Sequence, residues 1–308
     1  MSCSYDNVIK RWSIKEGVHE FDFPREFGVL SMELASNNAA ISHDGKSLLI
    51  INGLDLVICE MEAGAVTASQ PFDFTPGMLE SIKLGPTAGS LIVPLSGQGF
   101  VLWDYFVGEC LDRRESFARK GIGFIVGENT RFYGYSENAI EVNCQGEMHS
   151  RYLRHHSDVV LNVRNVGPNF WSTSVDKTLR ICDVASGKLV KTHRLNINDC
   201  RPIVANDSYV ATVYEDLQIA VWNASTLELS CVLSGHVQEI TYLEWLSPRV
   251  LVSASEDMSI RVWDTVQKSL LCELAIDAPI AAGICAPKER TIIVGDKGGR
   301  VHFLKLEL

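Results

Sequence analysis

Short alternations of apolar and polar residues recur along the chain at nearly constant intervals. "DKTLRIC" (176–182) and "DMSIRVW" (257–263) alternate with period two and are rich in β-branched residues, the pattern of strands with one face in a core. Aligned on their last residue, the segments ending at Cys182, Trp222 and Trp263 lie 40 and 41 residues apart. Upstream, Trp103, Asn143 and Cys182 are separated by 40 and 39 residues, and Trp12, Cys59 and Leu304 extend the series to both ends. Between the alternations stand turn sequences, "SHDGK" (42–46), "ASGK" (185–188) and "DKGG" (296–299), in which Gly or Asp tolerates positive φ. Pro76, Pro86, Pro168, Pro248 and Pro287 mark segment boundaries, and no long stretch carries a helical stripe. The pattern predicts an all-β chain of tandem units.

The period and the closing Trp-Asp of "SEDMSIRVWD" resemble the WD-repeat family of β-propellers, which place four strands in each blade. The resemblance covers essentially the whole chain, most clearly residues 155–265 and least clearly 48–145. It implies a β-propeller of four-stranded antiparallel blades. Strand-like segments number seven for the first and fourth positions of a blade, and eight for the hairpin of the second and third. We therefore expect a propeller over residues 15–308, with residues 1–14 as a leftover or partial-blade hairpin. Seven blades are favoured, the strand near 18–24 closing the ring on the strand near 300–306 and leaving no open sheet edge. The alternative is eight blades, the first lacking its innermost strand.

The resemblance also implies a hydrogen-bonded relay of His, Ser or Thr, Asp and Trp in each regular repeat. His236, Ser253, Asp257 and Trp263 match it in full. His156, Ser172 and Asp176 match with Cys182 in the Trp position, and Thr212, Asp216 and Trp222 match without a histidine in register, His193 being displaced. In the opening stretch Ser2, Asp6 and Trp12 match, with no histidine before them. A buried indole N–H, hydroxyl and carboxylate each need a partner, and a closed chain of bonds supplies all of them together. The N-terminal blades lack the set and are expected to rest on apolar packing alone.

Ser, His and Asp are also the residue types of a hydrolase triad. A strand–elbow–helix context such as G-x-S-x-G is missing, and the set recurs in a second repeat, as a catalytic site would not. No phosphate-cradling G-x-x-x-x-G-K-[ST] is present, and the Gly-rich "GIGFIVGEN" (121–129) opens a strand-like repeat with no helix after it. Trp171 and Trp245 fall at strand positions and read as core.

Charge and cysteine usage narrow the function classes. With 38 acidic and 28 basic residues the formal charge is −10, so nucleic acid and anionic membranes are poor partners. The basic cluster "LDRRESFARK" (111–120) reads as solvated surface. Nine scattered cysteines without a C-x-x-C pair argue against a zinc site or a disulfide framework and fit a reducing, cytoplasmic or nuclear setting. No apolar run approaches the length of a membrane span. Neither cofactor nor metal is expected.

What remains is a non-catalytic scaffold, a monomeric propeller in a larger assembly, that binds proteins through loops on a rigid frame. The loops leading into the innermost strands supply the candidate contacts Arg154, His155, Asp158, Asp199, Gln238 and Glu239, whose acidic members suit a basic peptide. The final "VGDKGGRVHFLKLE" resembles the last repeat of WD arrays appended to NACHT-type NTPases, which implies a sensor or autoinhibitory module of a larger signalling protein, or a fragment of one. A free-standing adaptor of a ubiquitin-ligase or trafficking assembly is the alternative, and a propeller hydrolase a more distant one.

Overall fold

The computed structural model describes residues 2–3, 9–12, 19–22, 39–60, 62, 65–77, 82–96, 99–115, 118, 120–126, 130–144, 150–195, 202–214, 217–286, 290–298 and 300–305. Among these residues the regular structure is entirely β, in six four-stranded antiparallel sheets and two three-stranded ones. In chain order, sheet 1 holds Ser2–Cys3, Ile9–Trp12 and His19–Asp22. Sheet 2 holds Ala39–Ile41, Ser47–Asn52, Asp55–Glu60 and Val66–Pro71, and sheet 3 holds Lys83–Leu84, Ser90–Pro94, Phe100–Asp104 and Glu109–Arg114. Sheet 4 holds Lys120–Ile125, Arg131–Ser136, Ala139–Cys144 and Arg151–Leu153. Sheet 5 holds Val160–Val166, Asn169–Ser174, Thr178–Asp183 and Leu189–Arg194. Sheet 6 holds Ile203–Ala205, Tyr209–Tyr214, Gln218–Asn223 and Leu229–Leu233, and sheet 7 holds Ile240–Trp245, Val250–Ser255, Ser259–Asp264 and Ser269–Ala275. Sheet 8 holds Ile280–Ala286, Thr291–Asp296 and Val301–Lys305. The chain divides into two compact units, one of Met1–Ser13, Val18–Ser136 and Ile140–Tyr152, the other of Ile14–Gly17, Glu137–Ala139 and Leu153–Leu308.

Within each four-stranded sheet the middle strands are covered on both faces. Ser47–Asn52 and Asp55–Glu60 bury all four central residues, whereas Val66–Pro71 beside them has none buried. The near-continuous apolar middle strands and the polar outer strand are thus the sequence's own record of which strands lie between sheets. In the first unit, Leu49, Ile58, Phe72, Phe74, Val93 and Trp103 form a core joining sheets 2 and 3. In the second, Val221, Cys231, Leu233, Leu243, Trp245 and Trp263 join sheets 6 and 7. Each large side chain so buried contributes roughly 1.5–3 kcal/mol. Trp171 and Trp245 are both core, as expected.

A β-bulge recurs at one place. The pairing of third and fourth strands shifts register at Ile58/Cys59, Leu102/Trp103, Ile181/Cys182, Val221/Trp222 and Val262/Trp263, each time at the residue of the Trp position. Bulges sharpen the local twist, and here they turn the outer strand at the same point of every such sheet.

The opening hairpin differs from expectation. Ile9–Trp12 pairs with Ser2–Cys3 and also with His19–Asp22, in the register Lys10↔Asp22, Arg11↔Phe21 and Trp12↔His19. The strand expected to close the ring on the chain's last strand is therefore held by the opening hairpin. A short connection makes this pairing cheaper in loop entropy than one with the far end of the chain. Among the described residues the first sheet is a partial blade of three strands.

Candidate functional site

Sheet 7 carries the relay in full. The Trp263 indole N–H donates to Ser253 Oγ at 2.8 Å, and Ser253 Oγ stands 2.7 Å from His236 Nε2. His236 Nδ1 is 2.8 Å from Asp257 Oδ2. With the carboxylate facing Nδ1, that nitrogen carries the proton, and Nε2 accepts from the serine hydroxyl. Burial holds the His236 imidazole below its ordinary pKa and outweighs the pull of Asp257, which keeps the ring neutral as this bonding requires. Burial pushes the Asp257 carboxyl up, but bonds from the Ser259 hydroxyl, His236 and the Val237 N–H outweigh it and hold it at about 2.

Sheet 5 repeats the arrangement. His156 Nδ1 lies 3.0 Å from Asp176 Oδ2, and Nε2 lies 2.8 Å from Ser172 Oγ. Burial again depresses the histidine. The chain of bonds stops at Ser172, which has Cys182 rather than an indole in the Trp position; the serine oxygen is instead 3.3 Å from the Arg180 carbonyl. Burial raises the Cys182 thiol to about 11, so it stays protonated and apolar.

In both sheets the aspartate is clamped by a hydroxyl that the sequence reading passed over. Ser259 Oγ donates to Asp257 Oδ1 at 2.6 Å and Thr178 Oγ1 to Asp176 Oδ1 at 2.5 Å. Both stand two residues after the aspartate, a spacing visible in "DMS" and "DKT".

Among the described residues the third assigned relay is not formed. Thr212 donates its hydroxyl to the Pro202 carbonyl at 2.9 Å, and among the described residues no histidine bonds to it. Trp222 is buried and packs its ring 5.9 Å from His193, whose Nε2 meets the Leu227 carbonyl at 3.1 Å. Asp216 lies outside the described residues, as does Asp6 of the opening stretch.

The relays reach the loops that carry the candidate contacts. Asp176 Oδ2 accepts the Ser157 N–H at 3.0 Å and Asp257 Oδ2 the Val237 N–H at 3.1 Å. One residue on, the Asp158 and Gln238 carbonyls accept from Ser174 and Ser255 hydroxyls at 3.1 and 3.0 Å. Asp158, Gln238 and Glu239 are exposed on this fixed backbone, as is Val237, at 72%. Arg154 is exposed as well. His155 is only half exposed; its Nε2 is 2.9 Å from the Gly187 carbonyl, and its own carbonyl accepts from Arg180. Asp199 lies outside the described residues.

The first unit does not rest on apolar packing alone, contrary to expectation. The Trp103 indole N–H donates to Gln70 Oε1 at 3.1 Å, and Gln70 Nε2 donates to the Tyr105 carbonyl at 2.9 Å. His43 places Nδ1 3.1 Å from the Tyr105 hydroxyl and Nε2 3.1 Å from the Gly85 carbonyl. Edge-on contacts of Trp103 with Phe72 and Phe74, at 5.0 and 5.9 Å, complete the cluster. In the basic cluster, Arg113 and Arg114 are paired with Glu115 and Asp112 at 2.9 and 3.1 Å. Among the described residues no group of three or more His, Cys, Asp or Glu converges as a metal site.

Comparison with known proteins agrees with this geometry. A family model for the TEP-1 C-terminal β-propeller matches residues 236–306, which contain the complete relay. The chain folds as a β-propeller whose repeats are similar to those of WD-repeat proteins. An uncharacterized WD repeat-containing protein of Schizosaccharomyces pombe is 34% identical over 96 residues, 30% of this chain and 26% of that protein. The WD repeat-containing protein 26 homolog of Drosophila melanogaster is 31% identical over 106 residues, 34% of this chain and 16% of that one. A probable coatomer subunit beta' of S. pombe is 25% identical over 163 residues, 51% of this chain and 20% of the subunit. The chain thus spans about a quarter or less of these relatives. Among solved structures, BamB from Moraxella catarrhalis superposes with a TM-score of 0.69 at 10% identity over 99% of this chain and 93% of BamB. A chain of the mitotic checkpoint complex gives 0.65 at 16% identity over 88% and 87%. Both likenesses concern the fold alone.

Proposed function

We propose that this chain is a non-catalytic scaffold that binds proteins through the loops its relays hold. One observation carries the reading: the Ser–His–Asp sets are spent on the fold. Ser253 is fully buried and its oxygen is engaged by both Trp263 and His236, so it has neither the access nor the free hydroxyl of a nucleophile. What the same bonds leave exposed is a stiff loop backbone bearing Asp158, Val237, Gln238 and Glu239. Rigid loops lose little entropy on binding. The acidic members favour a basic segment in the partner.

The larger context is the terminal propeller of a NACHT-type signalling protein, or a fragment of one. The closing "VGDKGGRVHFLKLE" and the match of residues 236–306 to a propeller described as C-terminal support it. A second reading, an adaptor subunit of a multiprotein complex, is favoured by the names of relatives that are parts of complexes, a probable coatomer subunit and a Set1 complex component. Free thiols at Cys59, Cys110, Cys182, Cys231, Cys272 and Cys285 support a reducing compartment, cytoplasm or nucleus.

The test is binding by the intact chain. Reversing Asp158 and Glu239 to lysine is expected to weaken a recombinant partner first identified by affinity capture by about tenfold, without shifting Tm. Turnover of any member of an ester, peptide and phosphoester panel, abolished by Ser253→Ala, refutes the non-catalytic reading.

A further inference from the structure

The turns between third and fourth strands share one construction. The Asp or Asn at the end of the third strand caps the backbone of the turn: Asp183 Oδ1 accepts the Ser186 N–H at 2.7 Å. Asn223 Oδ1 accepts those of Ser225 and Thr226 at 2.9 Å each, and Asp264 Oδ1 those of Val266 and Gln267 at 2.9 Å each. In sheet 3, Asp104 Oδ1 accepts from Phe106 and Val107 at 2.8 and 3.1 Å. The two tip residues of the other turns are small or polar, Ala185–Ser186, Ser225–Thr226 and Val266–Gln267, where a lone valine is the largest apolar group. Only the sheet 3 turn among these puts two large apolar side chains at its tip. Phe106 is 69% exposed and Val107 66%.

The phenylalanine is held in place despite its exposure. Its ring lies over Gly89, where a Cβ would come within 2.4 Å of it, and Gly89 has φ +84°, which favours glycine independently. The Tyr105 ring braces it at 4.8 Å, and Tyr105 is itself fixed through His43 and Gln70. An exposed aromatic on a capped turn, backed by a glycine floor, has already lost its conformational freedom. Such groups are the usual anchors of protein interfaces. The flanks are acidic, with Asp104 at the base and exposed Glu109 beside the tip.

We infer that Phe106 and Val107 are an anchor that inserts into an apolar pocket of a partner protein whose pocket rim is basic. Charge complementarity to Asp104 and Glu109 selects a basic rim. The net charge of −10 and the acidic flanks weigh against an anionic bilayer as the surface that receives the anchor. This inference rests on the scaffold reading but concerns the opposite kind of contact, an apolar knob on the first unit rather than acidic loops on the second.

The experiment uses the whole chain and its recombinant partner, identified by affinity capture. Dissociation constants are measured by calorimetry for the wild type, Phe106→Ser, Val107→Ser, Glu109→Lys, the paired Asp158→Lys and Glu239→Lys change, and Val266→Ser as the same turn in sheet 7. The expected result is a loss of about 30-fold or more for Phe106→Ser, a smaller loss for Val107→Ser and Glu109→Lys, and none for Val266→Ser, all at unchanged Tm. Wild-type affinity in Phe106→Ser and Val107→Ser overturns the anchor. If Asp158→Lys with Glu239→Lys still weakens binding in that case, the scaffold reading stands alone. Absence of any saturable partner overturns both. Two further outcomes also overturn the anchor: dimerisation in ultracentrifugation that Phe106→Ser abolishes, and Phe106-dependent flotation with phosphatidylcholine–phosphatidylserine vesicles.

Discussion

Trp103 and Trp263 occupy the same position in sheets 3 and 7, and their indoles are satisfied in different ways. Trp263 donates to Ser253 of its own sheet, whereas Trp103 donates to Gln70 of the preceding one. Strand register explains the choice. Gln70 pairs with Leu56, and the matching residue ahead of Trp263 is Leu233, paired with Ile219. Leu233 is apolar and joins the core under Trp263. Conversely, the strand position that holds Ser253 in sheet 7 holds buried Val93 in sheet 3. Each sheet has one polar group within reach of the indole, supplied from opposite sides. The relay is thus one solution to a buried N–H rather than a requirement of the blade.

The largest expected effect is at the end of the relay. Asp257→Ala removes the acceptor of His236, Ser259 and the Val237 N–H together, and should cost about 3–4 kcal/mol by denaturant unfolding. A loss below about 1 kcal/mol means the three donors find water, and the relay sets sheet 7 apart from sheet 3 in geometry but not in stability. Trp263→Phe should cost about 1–3 kcal/mol, from an unpaired Ser253 and lost packing. Gln70→Leu imitates Leu233 without providing a serine, and should cost about 1–2 kcal/mol by leaving the Trp103 N–H and the Tyr105 carbonyl unpaired. In a double-mutant cycle Gln70→Leu with Trp103→Phe should cost less than the sum of the two singles; strict additivity removes the bond from the comparison.

The smallest effect is a dependence on pH. His156 and His236 are kept neutral by burial, with folded pKa values below the ordinary value near 6.5. On acidification the unfolded chain takes up these protons first. Stability should therefore be full above about pH 6.5 and decline below it, with a further decline below about pH 4 as Asp257, held at about 2, meets its unfolded value. His236→Gln should flatten the first part of this slope in a Tm series; an unchanged slope assigns it to other groups.

How much of this was legible in the sequence differs between the two units. His236, Ser253, Asp257 and Trp263 stand at recurring spacings within one repeat, so alignment alone brings them together. Gln70 and Trp103 meet across two sheets, and neither Gln nor the interval between them recurs, so nothing in the local pattern announces the bond. His43 and Tyr105 are hidden for the same reason. Thr212 was legible as a residue type but misled, because its role depends on an acceptor that must arrive from another strand. The pairing of His19–Asp22 was misread because two strands compete for one partner, and strand count cannot rank a short hairpin against a distant closure.

The bulge at the Trp position has a consequence for assembly. Because the third and fourth strands of sheets 2, 3, 5, 6 and 7 break register at one common place, their outer strands are nearly interchangeable as backbones. A growing chain that offers several such strands gains little from hydrogen bonding by choosing the right one, the condition under which tandem repeats misassemble. What differs between them is the residue in one common rung: Gln70 bonds Trp103, His193 packs against Trp222, and Leu233 joins the core under Trp263. Those three side chains, an amide, an imidazole and an aliphatic group, mark otherwise similar strands by the tryptophan each one meets.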